Sequence, residues 1–562
     1  MVRQGSNGLV RRWGLAAACC AAAALSCAQQ GFPPGGPADE THPAVTQTVP
    51  APQAIDVPVT GTITFTFSEP MDGESVESNF FLVPIPEIWP SFEWREGGRT
   101  LAVILNQELD PGVTHVASIG AKAADRRGNT LSDSFLLVFS TGPVLENKRM
   151  TGRVLPGNFL GESPLAVSLI DVIAYRTDPA SEPPDPENDV PDYMTQTGAD
   201  GSFELVGLSR GTFRLFAVGD RDGDGFYTAN YDLVGVASRD VVLAEEDSLA
   251  IAPSIMVDMR YTAPVQLSSA RAPDRRRVEL SFDREVAPET FEIAIPGLDI
   301  LGSYQAPGSP RGMTVVSAPQ EDGRKYEITR LEIADRFGNG MAELDFTPYF
   351  AGSGYQDTTA LAVTHQIPSI LTQPGEPVTL VFNRPLELPQ GLSAILAEDE
   401  RLSLAIDRAG MDRLTLRPVT GWVSGGNTII QFDPGLLTGI AGNRFTEESA
   451  RVAIRVAPQD TLAVLSGTVG PSAGETPVRI FAKETGTGEY RTVTADQSGA
   501  WTTGPILPGQ YTIYGLRDND GDSQADLGSV APFRFAEPVT ARPDTVLLQS
   551  RWPVGGIEVR FE

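Results

Sequence analysis

With 562 residues carrying 72 Asp and Glu against 43 Lys and Arg, the chain has a formal net charge of −29. That charge excludes nucleic acid and an anionic membrane surface as partners held by charge. The length excludes a single core, since domains of roughly 100–200 residues imply roughly three to five of them. Gly (56) and Pro (45) are abundant and long amphipathic helical patterns are scarce. Short Val/Ile/Thr/Phe alternations are plentiful, which predicts several all-β modules rather than one α/β fold.

The chain opens on Arg3, Arg11 and Arg12, followed by the apolar run GLAAACCAAAALSC. The run is too short for a mature spanning helix and reads as a signal peptide over residues 1–26. Its end, LSC at Cys27, resembles a bacterial lipoprotein cleavage site. Ala24 stands where such sites prefer Leu, and Leu25 where a smaller residue is usual; an ordinary signal peptide containing a cysteine is the alternative. The resemblance implies that Cys27 is lipidated and becomes the first mature residue, so that the membrane is reached through the lipid. Ala28 after the cysteine, rather than Asp, leans the expected address towards the outer membrane of a bacterial envelope, with the side open. Cys19, Cys20 and Cys27 are the three cysteines, so disulfides are excluded from the mature chain although such a compartment permits them. Residues 27–42 read as a flexible linker.

The first folded segment, 43–143, contains TGTITFTFSEPM, where Ile63, Phe65 and Phe67 alternate with Thr62, Thr64 and Thr66. This predicts a half-buried strand stopped by Pro70. LDPGVTHV, DRRGN and FSTG follow in order. DRRGN reads as a tight turn in which Asp125 bonds downstream backbone and Gly128-Asn129 tolerate positive φ. The ordered motifs resemble the SbsA-type bacterial Ig-like domain, which implies a β-sandwich. The same grammar returns as VELSFDREV and IADRFGNGM, then as VTLVFNRPL and GIAGNRF, predicting degenerate Ig-like units over 260–353 and 357–458. The former lacks the Pro after its strand, and the latter lacks the turn Asp.

A second repeat type interleaves with the first. GSFELVGLSRGTFRLFAVGDRDGD (201–224) and GAWTTGPILPGQYTIYGLRDNDGD (499–522) align without a gap at an offset of 298 residues. Each is preceded by a GxV strand start, in MTGRV and LSGTV. The order of GxV, G-x-aromatic and L-x-x-G-x-aromatic-x-aliphatic resembles transthyretin-like or carboxypeptidase-regulatory β-sandwich repeats, implying such modules over 147–258 and 461–562. The fold class expected is therefore all-β, a tandem string of five β-sandwich modules of two types.

The candidate chemistry lies at the end of the second repeat. Asp220, Asp222 and Asp224 fit positions 1, 3 and 5 of an EF-hand-like calcium loop, and Gly225 fits position 6. Tyr231 occupies position 12, with Asp232 one place later. In the echo, Asp518, Asp520 and Asp522 hold the same places, Ser523 replaces the glycine and Asp526 falls at position 9. Calcium is the expected cofactor if there is one, because carboxylates at this spacing repel one another without a cation. A solvated acidic turn is the other reading. Catalytic readings are poorer. GPSAG around Ser472 matches a nucleophile elbow, but strand-like ETPVRIFAKE follows where a helix is needed. His42, His115 and His365 all precede Ser472, and His115 lies in an alternating strand. The mature chain has no clustered Cys or His for zinc. Trp89, Trp94, Trp422 and Trp501 suit either sugar-stacking platforms or sandwich cores and edges. The expectation is a non-catalytic envelope protein for binding, adhesion or structural presentation, with a protein or glycan partner. The alternative is a carbohydrate-binding accessory for surface glycan use.

Overall fold

In the computed structural model the described residues are 41–562, apart from 162–163, 179–181, 344–346, 388–394, 398–401, 434–436, 471–475 and 523. The expected signal peptide, Cys27, nearly all of the linker, Ser472 and Ser523 fall outside them. Ile63, Phe65 and Phe67 of the Thr62–Phe67 strand are buried and the threonines between them are not, so period two decides which face joins the core. Thr62–Phe67 lies between Val45–Val49 and Thr100–Ile104, and Ser91–Arg95 completes a four-stranded sheet. Phe80–Val83, Thr114–Ile119 and Phe135–Ser140 form the facing sheet. Phe65, Leu82, Leu101 and Phe139 fill the space between the sheets of this first module.

Two later modules repeat the four-stranded order. In the third module it runs Leu267–Asp274, Arg277–Phe282, Gly312–Ser317, Ile300–Tyr304; in the fourth, Val363–Ile367, Val378–Phe382, Arg413–Pro418, Leu404–Arg408. The turn motif explains the repetition. Asp125 Oδ1 accepts from the Arg127 and Asn129 backbone N–H groups at 2.7 and 2.9 Å. Asp335 does the same for Phe337 and Asn339 at 2.9 and 3.0 Å. Gly128 has φ 92° and Gly338 φ 81°, a region open to glycine at little cost. Asn129, expected at positive φ with Gly128, is not there; it instead donates its side-chain amide to Asp125 Oδ2 at 2.9 Å. The fourth module has Gly439 in place of the aspartate, yet Gly439 N–H still bonds Asn443 O at 2.8 Å. Asn443 holds that turn by donating to the Asp357 and Thr359 carbonyls, each at 2.9 Å.

The second and fifth modules share a different plan. Strand Lys148–Pro156 pairs antiparallel with Ser202–Leu208 and parallel with Ile255–Met259. Ala463–Val469 likewise pairs antiparallel with Ala500–Ile506 and parallel with Val554–Val559. The strands Ser202–Leu208 and Gly211–Gly219 recur as Ala500–Ile506 and Gly509–Arg517, offset by the same 298 residues as the sequence repeat. The chain is thus all-β, a tandem series of β-sandwich modules with separate cores.

The modules do not run on as an open string. The second meets the third through Arg336–Asp258 and the Asn230–Thr262 hydrogen bonds. The third meets the fourth through Arg277–Asp357, and the fourth meets the fifth through Arg491–Glu376. The fifth then returns to the second: Leu155, Phe159 and Met256 pack with Phe481, Leu516, Leu527 and Val539. The second to fifth modules therefore close a ring. The physical reason is an apolar insertion in the fifth module. Phe216 pairs with Val236, but its equivalent Tyr514 pairs with Ala541, making the intervening loop seven residues longer. Val530 and Phe533 in this loop pack on the second module's Tyr175 and Phe216 cluster. The Arg214 guanidinium lies 4.1 Å from the Phe533 ring centroid, a cation–π contact that joins the surfaces.

Candidate metal centre

The loop 220–232 is a hairpin connection. Gly219 pairs with Leu233, so Asp220 and Asp232 face each other at its mouth. Asp220 accepts from Gly223 N–H at 2.7 Å and Gly225 N–H at 2.9 Å. Those glycines have φ 77° and 83°, which folds the loop back over the Asp220 carboxylate. Asp224 Oδ1 accepts from Phe226 N–H at 2.8 Å. Carboxylate oxygens of Asp220, Asp222 and Asp224 come within 4.8 Å of one another. The pKa of Asp222 is raised by desolvation, by its hydrogen bond to Asp220, and by the charges of Asp224, Asp232 and Asp220. Three hard oxygen donors on one side of a loop suit calcium better than a softer metal.

Asp232 lies outside that trio. It is fully buried and accepts from Arg221 N–H at 2.9 Å and Thr228 N–H at 2.8 Å. It pins the two ends of the loop, and Tyr231 at position 12 is exposed.

In the fifth module, Asp518, Asp520 and Asp522 form the equivalent group. Asp526 is held by its backbone, whose N–H donates to Glu537 Oε2 at 3.2 Å. Glu537 is the residue that sequence reasoning missed. It is buried and accepts from Asn519 N–H, the role Asp232 plays for Arg221. The seven-residue insertion hides that correspondence from any fixed spacing.

A second missed residue separates the two loops chemically. Asp171 pairs with Val218 in the second module, and Arg479 pairs with the equivalent Leu516 in the fifth. Arg479 Nε lies 2.6 Å from Asp518 Oδ2, so a built-in cation already neutralises the first carboxylate of the fifth module's loop. The second module instead adds a carboxylate beneath its loop, and Asp171 Oδ1 is buried with no hydrogen-bond partner among the described residues. Burial pushes the Asp171 pKa up to about 6, with Asp220 adding to the rise and Gln196 and Lys122 opposing it. The native state therefore keeps a proton that the unfolded state releases near pH 4, and stability falls as pH rises from about 4 to about 6. Two pKa units correspond to about 3 kcal/mol. Asp171→Asn is expected to stabilise the second module by up to about that amount at pH 8 and by nothing at pH 4, read from denaturant midpoints. Equal gains at both pH values would refute the assignment.

His115 is buried and its ring stacks on Phe139 at 5.6 Å. Burial pushes its pKa down against the opposing influence of Asp110, which makes it a core residue. Its whole strand, Thr114–Ile119, is buried and does not alternate, because the second module covers the outer face, with Gly207 against Val116. Trp422 and Trp501 are core residues, and Trp94 stacks on Phe67 at 6.1 Å. Trp89 is 41% exposed. The strand Val478–Glu484 stands where a nucleophile elbow would need a helix.

Residues 39–141 match the family model described as a bacterial Ig-like domain. The first module is thus similar to that family. No curated protein matches the chain. Among solved structures, domains 1–6 of the surface layer protein SbsC are 12% identical, over 86% of this chain and 66% of that one, with a TM-score of 0.16. The major pilin subunit BcpA of Bacillus cereus is 9% identical, over 74% of this chain and 99% of that one, at 0.15. The LD transpeptidase LdtMt1 in complex with imipenem is 16% identical over 26% of this chain, at 0.14, and the match spans 58% of that enzyme. None of these likenesses bears on activity.

Proposed function

We propose that this chain is a non-catalytic structural protein of the bacterial envelope, lipid-anchored at Cys27, which presents a rigid set of β-sandwich modules for binding or adhesion. In this reading the second and fifth modules are transthyretin-like and the third and fourth are degenerate Ig-like units. The observation that carries it is the closed ring of modules two to five, in which buried contacts between modules favour rigidity over the clefted, mobile site an acyl-transfer enzyme needs. The Ig-like match over residues 39–141 supports it as well. Cys27→Ser is expected to move the chain from the membrane fraction of cells to the soluble fraction. A wild-type chain found soluble would overturn the anchor.

Within that scaffold Asp220, Asp222 and Asp224 would hold calcium, with Asp232 fixing the loop and not ligating. Asp518, Asp520 and Asp522 would bind more weakly, since Arg479 already neutralises Asp518. Calcium at ten times Kd would add about 1.4 kcal/mol to the native state, a rise in melting temperature of several degrees for the second module. Asp222→Asn should abolish the rise. Superimposable scans in calcium and in chelator would remove the metal from this account.

A further inference from the structure

The first module is polarised along its strands. The chain enters at one end, where Ala44 N–H donates to Ser68 Oγ at 3.0 Å and His42 Nδ1 lies 2.8 Å from the Thr130 carbonyl oxygen. Val45 there pairs with Phe67, whereas Val49, at the other end of the strand, pairs with Thr64. The far end is built from the connections 49–61, 84–90, 105–113 and 140–147, each of which contains proline. They are tied to one another. Ile88 N–H donates to Gln107 Oε1 at 2.6 Å, Leu109 N–H to Val59 O at 2.8 Å, and Asp56 N–H to Gly142 O at 2.9 Å. Proline fixes φ, so this end is organised before any partner arrives and has little freedom to lose on binding.

Its surface is apolar at the centre. Val49, Ile55, Ile88, Trp89 and Val144 are 41–66% exposed, and large apolar side chains gathered in this way mark interaction surfaces where single ones do not.

The charges at the two ends differ. Every Lys and Arg between residues 43 and 143, namely Arg95, Arg99, Lys122, Arg126 and Arg127, lies on the turns of the entry end. The far-end connections carry Asp56, Glu87, Glu108, Asp110 and Glu146 and no Lys, Arg or His. Asp56, Glu87 and Glu108 are exposed, and among the described residues none of the three forms an ion pair. The next cation along the chain, Lys148, is already engaged, with its Nζ donating to the carbonyls of Ala244, Glu245 and Asp247.

An apolar centre with an acidic rim suits one kind of cover. An anionic lipid surface is repelled, as is a second copy of a chain whose net charge is −29. Lipid is disfavoured by direction too, because the apolar side chains sit opposite the end at which the chain enters. We propose that the far end of the first module docks a basic protein, one of whose apolar side chains seats against Ile88 and Trp89 while Lys or Arg residues around it pair with Glu87, Glu108 and Asp110. The field of so acidic a chain would steer such a partner in, and rim charges of opposite sign would select it. This names the partner face of the scaffold reading and rests on that reading; loss of the anchor would leave the docking chemistry as it is.

The test is photo-crosslinking in the cells that make the protein, with p-benzoylphenylalanine placed at Ile88 of the full chain and, as a control, at the similarly exposed Leu301 of the third module. The Ile88 probe is expected to yield a protein adduct whose linked peptide carries Lys or Arg on both sides of the attachment point, and the Leu301 probe to lack it. Glu87→Lys combined with Glu108→Lys should lower the yield roughly tenfold or more with an unchanged melting curve, since neither carboxylate has an ion pair to lose. Raised salt should lower it as well, because exposed charges are screened. No adduct, an adduct to lipid or to a second copy, or a yield unmoved by the charge reversal overturns the proposal.

Discussion

Phe159→Ala is expected to release the fifth module from the second while leaving both folded. Phe159 is buried, yet it belongs to neither module's own core. Its ring meets Phe481 at 5.6 Å and Tyr514 at 4.5 Å, both on the fifth module. Its carbonyl accepts from Lys483 Nζ at 2.8 Å, and the Gly161 carbonyl accepts from the same group at 2.7 Å. Burial lowers the Lys483 pKa, and among the described residues its hydrogen-bond partners are these two carbonyls, which it reaches only while the loop is docked. Removing a buried phenylalanine costs about 3–5 kcal/mol, a factor of about 10² to 4 × 10³ in a docking equilibrium at 1.4 kcal/mol per tenfold. Docking within one chain starts from an effective concentration in the millimolar range, so a loss of that size should open a large share of molecules. Small-angle scattering should show a larger radius of gyration, and protease should gain access near residues 458–462. Scattering that superimposes on the wild type would mean that the Phe533 contact with Arg214 and Phe216 alone closes the ring.

The modules were legible in the sequence because their information is local. The alternation of Ile63, Phe65 and Phe67 states which face is inside, and DRRGN and DRFGN state where the chain turns. GIAGN in the fourth module shows how far such reading reaches. Its missing aspartate suggested a weakened repeat, but the turn survives because Asn443 supplies the hydrogen bonds from the other end. The ring was not legible, since its surfaces are assembled from Leu155, Phe159 and Met256 on one side and Phe481, Leu516 and Val539 on the other, with no period linking them. The candidate metal loops fall between these cases. Their aspartates are a local pattern, whereas Asp171, Arg479 and Glu537 act through strand pairing and an insertion that a linear motif does not record.

Asp357 tests the opposite joint of the ring, between the third and fourth modules. It is 4% exposed and sits in the connector. Arg277 of the third module donates to its Oδ2 at 3.0 Å, and Arg384 of the fourth ion-pairs with the same oxygen. Asp274, also buried, holds the other side of Arg277, so two aspartates and two arginines alternate across the joint. Replacing Asp357 by Asn keeps the shape and removes one charge, leaving Arg277 with Asp274 and taking the carboxylate partner from Arg384. Breaking a buried pair from one side costs about 3–5 kcal/mol, because the remaining charge is desolvated without compensation. The melting of the third and fourth modules is therefore expected to shift down together, where a purely local effect would move only one. The pH dependence has a defined sign. Burial would raise the Asp357 carboxyl, but the Thr359 hydrogen bonds and Arg384 outweigh it and hold its pKa below the usual carboxylate range. Its stabilisation is thus present above the unfolded aspartate value near ~4 and is lost as pH falls through the lower native value. Asp357→Asn should cost most at neutral pH and least at the acid end, and a cost independent of pH would assign the joint to packing.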